Sequence, residues 1–300
     1  MAEPCVLKIG LLNVRIFSKQ PDIETDVIDC IRDMYALFKS EKEPNLSVEL
    51  EYASRSNLHN EILKLNKKNG IIRIKLRGEP PLDINVAKRS IKVRLFRNPE
   101  QRSKIVHFLS QFEIGIGLYI LKKGLGFLLH SSSVVKDGKA IIFSGVSRTG
   151  KSFIREHFIK ARGYMSMNDD CTLIQPTKKG CFCFTTPFGF RNYKPVSNAG
   201  EEVKAIYFLK AAPRNRLTQE SQDFCAQSMI MQSFCAKTII LRDFISSELS
   251  IISNYIDLAK AASSSVDCFC WERNRRATYA EISRLLTQGM SKGLHSNRKI

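Results

Sequence analysis

Residues 145–152 read Gly145-Val146-Ser147-Arg148-Thr149-Gly150-Lys151-Ser152, a full match to the pattern G-x-x-x-x-G-K-[ST]. At average residue usage, chance supplies such a match in roughly 1 in 100 chains of this length. An apolar strand pattern at 139–144 precedes it and a helical pattern to about 161 follows it, which is the context the motif requires. A strand must therefore end, turn back tightly and enter a helix within eight residues. The two glycines let the main chain turn so that successive amide N–H groups converge on one point. The helix starting near Lys151 adds its unsatisfied N–H groups and its dipole. Such a cradle suits the oxygens of a phosphate chain, with contacts spread over Gly145, Val146, Ser147, Arg148, Thr149, Gly150, Lys151, Ser152 and Phe153. Lys151 reads as a point charge for β- and γ-phosphates, and the Ser152 hydroxyl as a hard oxygen ligand for Mg2+. Nucleotide with Mg2+ is thus the expected ligand.

The pair Asp169-Asp170 follows about twenty residues after the loop, near the end of a strand pattern over 163–174. Adjacent strand residues point to opposite faces, but at a strand end both carboxylates can reach one pocket. One can hold the metal, and the other can take a proton from an attacking hydroxyl. An acidic turn facing water is the bland alternative. His130, before Ser131-Ser132-Ser133, reads in isolation as a packed histidine.

The stretch from His130 through the hairpin signal Lys136-Asp137-Gly138-Lys139, the loop, Arg162-Gly163-Tyr164 and Asp169-Asp170 resembles the HPr kinase/phosphorylase family. It resembles more closely the HPr-kinase-like proteins of peptide-modification cassettes. The specific part covers 127–171, and weaker likeness runs through Thr186-Pro187-Phe188-Gly189 and 205–215. The resemblance implies a mixed α/β fold (α+β), with a P-loop kinase core of the HPr-kinase/PEP-carboxykinase type. It implies an ATP-dependent kinase acting on a hydroxyl, a serine or threonine of a protein or peptide. Carried over by position, Asp169 is the proton acceptor, Asp170 the metal-linked carboxylate, and His130 a neighbour of the γ-phosphate. Two departures stand out. Ser147-Arg148-Thr149 replaces a small, Gly-rich loop centre, leaving Arg148 to stabilise a phosphate or project into solvent. Phe153 replaces an acidic residue that helps hold metal, which weakens the case for a second ion. No match to the segment associated with phosphorolysis is found.

The organisation expected is an α/β unit over 1–123, a P-loop domain over 124–288 and a basic tail over 289–300. In the first unit, 5–17 reads as one strand. Asp22 could cap a helix carrying Val27, Ile31, Met34, Tyr35 and Phe38. Strands are expected at 46–52, 71–76 and 91–96, with 79–82 an irregular link. A long helix is expected over 100–122, 218–262 reads as helical, 266–271 as a strand, and 278–286 as a short helix.

Net charge is +18, which favours acidic or phosphate-rich partners without choosing among them. Seven basic residues against two acidic ones fall in 272–300, among them Arg273, Arg275, Arg276, Arg284, Lys292, Arg298 and Lys299. With Trp271 and Tyr279 nearby they offer a nucleic-acid reading, but no recognisable module accompanies them. A nucleotide-binding regulator with little turnover is the other alternative. Nine cysteines without an export signal read as reduced thiols of a cytoplasmic protein. The pairs Cys181/Cys183 and Cys268/Cys270 are too close for a typical zinc site and fit one face of a strand. No run of about 18 apolar residues is present, so no membrane span is expected. Self-association is left open.

Overall fold

The computed structural model describes residues 5–23, 27–53, 64–68, 70–75, 80–97, 101–188, 199–233, 249–274, 276–278 and 280–284. Two seven-stranded mixed sheets and their helices make a mixed α/β fold.

The first sheet runs β1-β2-β3-β7-β6-β5-β4, from β1 (Cys5–Ile9), β2 (Leu12–Ser18), β3 (Leu46–Tyr52), β4 (Lys64–Lys68), β5 (Ile71–Lys75), β6 (Leu82–Asn85) and β7 (Ser90–Leu95). The expected single strand over 5–17 is a hairpin. Gly10 takes φ +58 and Ile9 pairs with Leu12, and the apolar alternation on both sides hides that turn. The link at 79–82 ends in β6, whose Leu82 and Ile84 are fully buried. Of the helix expected from Asp22, α1 (Pro21–Ile23) and residues 27–34, which include α2 (Asp29–Met34), are helical, 24–26 lie outside the described residues, and a 3-10 turn follows at Ala36–Phe38. Val27, Ile31, Tyr35 and Phe38 are buried as the spacing predicts, but Met34 is exposed. On one face of this sheet Asp83 accepts from both Arg73 and Arg94, and Arg94 also reaches Glu51. That charged ladder leaves the apolar side chains to the opposite face.

Helix α3 (Gln101–Lys122) packs on β6, β7 and β8 (Phe127–Lys136), so one apolar cluster runs from Leu7 and Ile16 to Leu129 and Leu173. By length and composition the part 104–122 would suffice to cross a bilayer, contrary to the expectation. Lys104, Gln111 and Glu113 interrupt any strict apolar run, and most of the segment is buried inside the fold, as in a core helix.

The second sheet runs β11-β10-β8-β9-β12-β14-β13, and β11 also pairs with β12. Its further members are β9 (Lys139–Ser144), β10 (Met165–Thr177), β11 (Gly180–Phe184), β12 (Gly200–Ala211), β13 (Arg216–Gln219) and β14 (Asp267–Arg273). The hairpin β8–β9 turns at Asp137 (φ +51) and Gly138 (φ +71), the left-handed pair that a two-residue turn requires. Strands β9, β12 and β14 are mutually parallel, so their carboxyl ends lie on one edge, where ligands of open α/β sheets gather.

Against this sheet lie α4 (Lys151–Arg162), α5 (Gln222–Met231) and α6 (Leu249–Ser263). The expected helical region 218–262 thus begins in β13, and its part 234–248 lies outside the described residues. Of the short helix expected at 278–286, residues 280–284 are helical, opened by reciprocal bonds between Thr278 and Glu281.

Phe158 and Ile154 of α4 join Phe143, Tyr207 and Trp271 in a second apolar cluster. Each such aromatic contributes roughly 2–3 kcal/mol on burial, and together they fix the helix whose N-terminus the loop feeds.

Cysteine chemistry differs from the expectation in one respect. Cys225 of α5 and Cys268 of β14 form a disulfide with Cα atoms 5.9 Å apart. Counting thiols could not foresee it, because the pair forms only where α5 lies along β14. Cys181 and Cys183 are buried on one face of β11.

Candidate functional site

The loop follows β9 at the shared carboxyl edge. Gly145 takes φ +154, and a side chain there would press on the Leu209 carbonyl of β12 at 2.7 Å. Gly150, at φ +92, is the residue immediately before α4. Only glycine adopts these conformations without strain. Val146, Ser147 and Arg148 are exposed, and Arg148 is left-handed at φ +67. Thr149 is buried and donates its hydroxyl to the Val146 carbonyl. Lys151 is buried as well. Its Nζ donates to the carbonyls of Gly145 at 2.9 Å and Val146 at 3.2 Å, which lays the ammonium across the mouth of the turn.

Asp169 faces α4. Its Oδ1 accepts from Ser132 at 2.8 Å and from Ser152 at 2.9 Å, and its Oδ2 pairs with Arg155 Nη1 at 2.9 Å. The helix period explains the set: Ser152 and Arg155 are three residues apart and share one face, while Ser132 sits directly opposite Asp169 across β8 and β10. Asp169 and Asp170 lie within β10, not at a strand end as expected. Both carboxylates nevertheless find partners, because Asp170 takes φ +108. This region costs a non-glycine residue on the order of 1–3 kcal/mol and persists where surrounding structure imposes it. His130 Nδ1 lies 3.3 Å from Asp170 Oδ1 and 3.0 Å from its main-chain oxygen. The His130 carbonyl accepts from Ser144, the last residue before the loop. The structure therefore brings together Lys151, Ser152, Asp169, Asp170 and His130, all of which the sequence singled out.

Four further residues belong to this arrangement and escaped the sequence. Ser132 and Arg155 serve Asp169; for Arg155 a signal existed, its phase on the helix after Ser152. Glu113 of α3 bonds the thiol of Cys171, the neighbour of Asp170, and burial pushes its carboxyl up to about 8, with the Asp170 charge adding to the rise. Below 4.5 this group is protonated folded or unfolded. Between 4.5 and about 8 only the folded chain holds the proton, so its contribution to stability is lost as pH rises through that window. Relative to Glu113→Gln, wild-type protein is expected to lose on the order of 1 kcal/mol per pH unit there. Urea unfolding across the window checks this, and a gap constant with pH would mean that Glu113 is already ionised.

The fourth is Arg273, expected in an exposed basic region. It is 4% exposed, at the end of β14, and its Nη1 donates to the Thr149 carbonyl at 3.1 Å. Trp271 is fully buried beside Tyr207. Both side chains are thus buried within the fold, not at its surface. Arg276 and Arg284 are exposed. Arg275, Tyr279, Lys292, Arg298 and Lys299 lie outside the described residues, as do Gly189 and the tail 289–300.

The Ser152 hydroxyl and Asp169 carboxylate are hard oxygen donors in contact, a set that suits Mg2+. Among the described residues no group of three His, Cys, Asp or Glu side chains forms a metal cluster.

The chain is similar to a solved structure, the Hpr(Ser) kinase/phosphatase from Coxiella burnetii, at 11% identity and a TM-score of 0.31, covering 55% of this chain and 97% of that one. A likeness at that level carries no argument about this chain. No protein-family model matches the sequence, and no curated protein matches it.

Proposed function

We propose that this chain is an ATP-dependent kinase with an HPr-kinase-type core, transferring the γ-phosphoryl group to a serine or threonine hydroxyl of a protein or peptide. The observation that carries the reading is the convergence of Lys151, Ser152 and Asp169 around the turn between β9 and α4, with Asp170 and His130 adjacent. In this reading the loop amides, the α4 N-terminus and Lys151 hold the phosphates. Ser152 and Asp169 hold Mg2+, whose chemistry is to neutralise charge on the β- and γ-oxygens.

The geometry favours exchanging the two aspartate roles inferred from the resemblance. Asp169 already accepts from two hydroxyls and pairs with a guanidinium, which holds its carboxylate in place beside Ser152. The Asp170 side chain is 51% exposed beside His130, open to an incoming acceptor. The acceptor oxygen attacks the γ-phosphorus and its proton passes to Asp170. The bond to the bridging oxygen breaks and ADP leaves. Positioning and charge neutralisation do most of the work. The charge of +18 favours an acidic acceptor.

Incubation with γ-labelled ATP, Mg2+ and candidate acidic peptides tests the reading. Label on a Ser or Thr, absent with Lys151→Ala, is the expected result. Release of free phosphate with no acceptor labelled would instead favour a nucleotide-binding regulator, and no nucleotide binding at all would end both.

A further inference from the structure

We propose that Arg273, 124 residues from Thr149 in sequence, is a positioning residue for the phosphate loop. The inference deepens the proposed function and rests on it for its link to nucleotide. The guanidinium occupies a narrow slot. One side is the Phe153 ring, whose centroid is 4.8 Å from Cζ. The other is the main chain at Gly150, where an added Cβ would stand 2.0 Å from Nη1 and 2.9 Å from Cζ. Through Nη1 the group donates to the Thr149 carbonyl.

This contact bears on the turn that feeds α4. A charged donor on the Thr149 carbonyl holds the Thr149–Gly150 peptide in one orientation. That peptide's N–H, and the next one at Lys151, are then pre-aimed to the inside of the cradle before any phosphate arrives. The anchor is rigid because Arg273 sits in β14, opposite Ala211 of β12, and its own carbonyl accepts from Ala212. Strands β9, β12 and β14 run parallel, so the end of β14 meets the loop at the carboxyl edge of the sheet. Phe153 gains a role here: where the resembled family has an acidic residue, this chain has the aromatic shelf under the guanidinium.

The test uses the full chain as wild type, Arg273→Met, Arg273→Lys, Phe153→Leu and Lys151→Ala. Calorimetry follows Mg2+-ATP, ADP and AMP, and hydrogen exchange follows the amides of 149–151 without nucleotide. Arg273→Met is expected to weaken ATP and ADP binding about tenfold or more, as loss of one charged hydrogen bond implies. AMP binding should be unchanged and exchange at 149–151 faster. Arg273→Lys should recover part of the loss, and Phe153→Leu should give a smaller change of the same sign. If Arg273→Met fails to fold, Phe153→Leu and Arg273→Lys carry the comparison. Unchanged ATP affinity with unchanged loop exchange overturns the proposal, while Lys151→Ala still abolishing binding would leave the kinase reading standing. Failure of wild type to bind any nucleotide would sink that reading, and loop exchange alone would then decide whether Arg273 orders the turn.

Discussion

Replacing Gly150 with alanine will abolish measurable nucleotide binding while leaving the two sheets folded. Two penalties act at the same atom. Gly150 holds φ +92, and an L-residue in left-handed conformation costs roughly 1–2 kcal/mol. The new Cβ would also stand 2.0 Å from Nη1 of Arg273. The side chain that must give way is 4% exposed and bonded to the Thr149 carbonyl, a charged hydrogen bond of about 1.5–3 kcal/mol. Together these come to about 3 kcal/mol or more, which is over a hundredfold if expressed in ligand affinity. Titration of Mg2+-ATP into protein shown to be folded by near-ultraviolet circular dichroism makes the measurement. Alanine at this position with wild-type affinity would mean that the loop does not need its left-handed turn.

Asp169→Ala will remove phosphoryl transfer and destabilise the fold, and Asp169→Asn will separate the two effects. Alanine takes away the carboxylate 2.9 Å from Arg155 and the acceptor of both Ser132 and Ser152. Breaking a buried pair by removing one partner costs about 3–5 kcal/mol. Here the side chains are 9% exposed for Arg155 and 26% for Asp169, so the lower end, about 3 kcal/mol, is expected. Asparagine keeps an oxygen for the two hydroxyls and loses the charge. It should retain about half of that stability yet still be inactive, because a neutral amide is a poor ligand for Mg2+. Denaturant unfolding and the γ-label assay, run on both variants, give the comparison. Activity surviving in Asp169→Asn would mean that the Asp169 charge serves neither the metal nor the proton, which overturns both orders of the pair.

What the sequence made legible is local chemistry. The glycines at 145 and 150, the lysine and serine after them, the Asp-Gly turn at 137–138 and the patterns of β9 and α4 all act within a few residues, so their spacing is a direct record of their geometry. The hairpin at Gly10 shows where this fails even locally, since alternation across a two-residue turn looks like one strand. Asp169-Asp170 was legible as a pair but not as a conformation. Its placement inside β10 and the strained φ of Asp170 follow from how His130 and Ser132 on the neighbouring strand hold them.

Tertiary structure alone decided which distant residues complete the site. Ser132 meets Asp169 because β8 and β10 are antiparallel in one particular register. Glu113 reaches Cys171 because α3 packs on β8 beside β10. Cys225 joins Cys268 because α5 lies along β14. Arg273, which the sequence grouped with a basic stretch open to a nucleic-acid reading, became a buried partner of the loop before α4 because three parallel strands finish at one edge. Chain separation carries no record of such meetings. They are set when apolar faces are buried together and strand registers close, and the polar groups left at the seam must then find one another or bear the cost of burial.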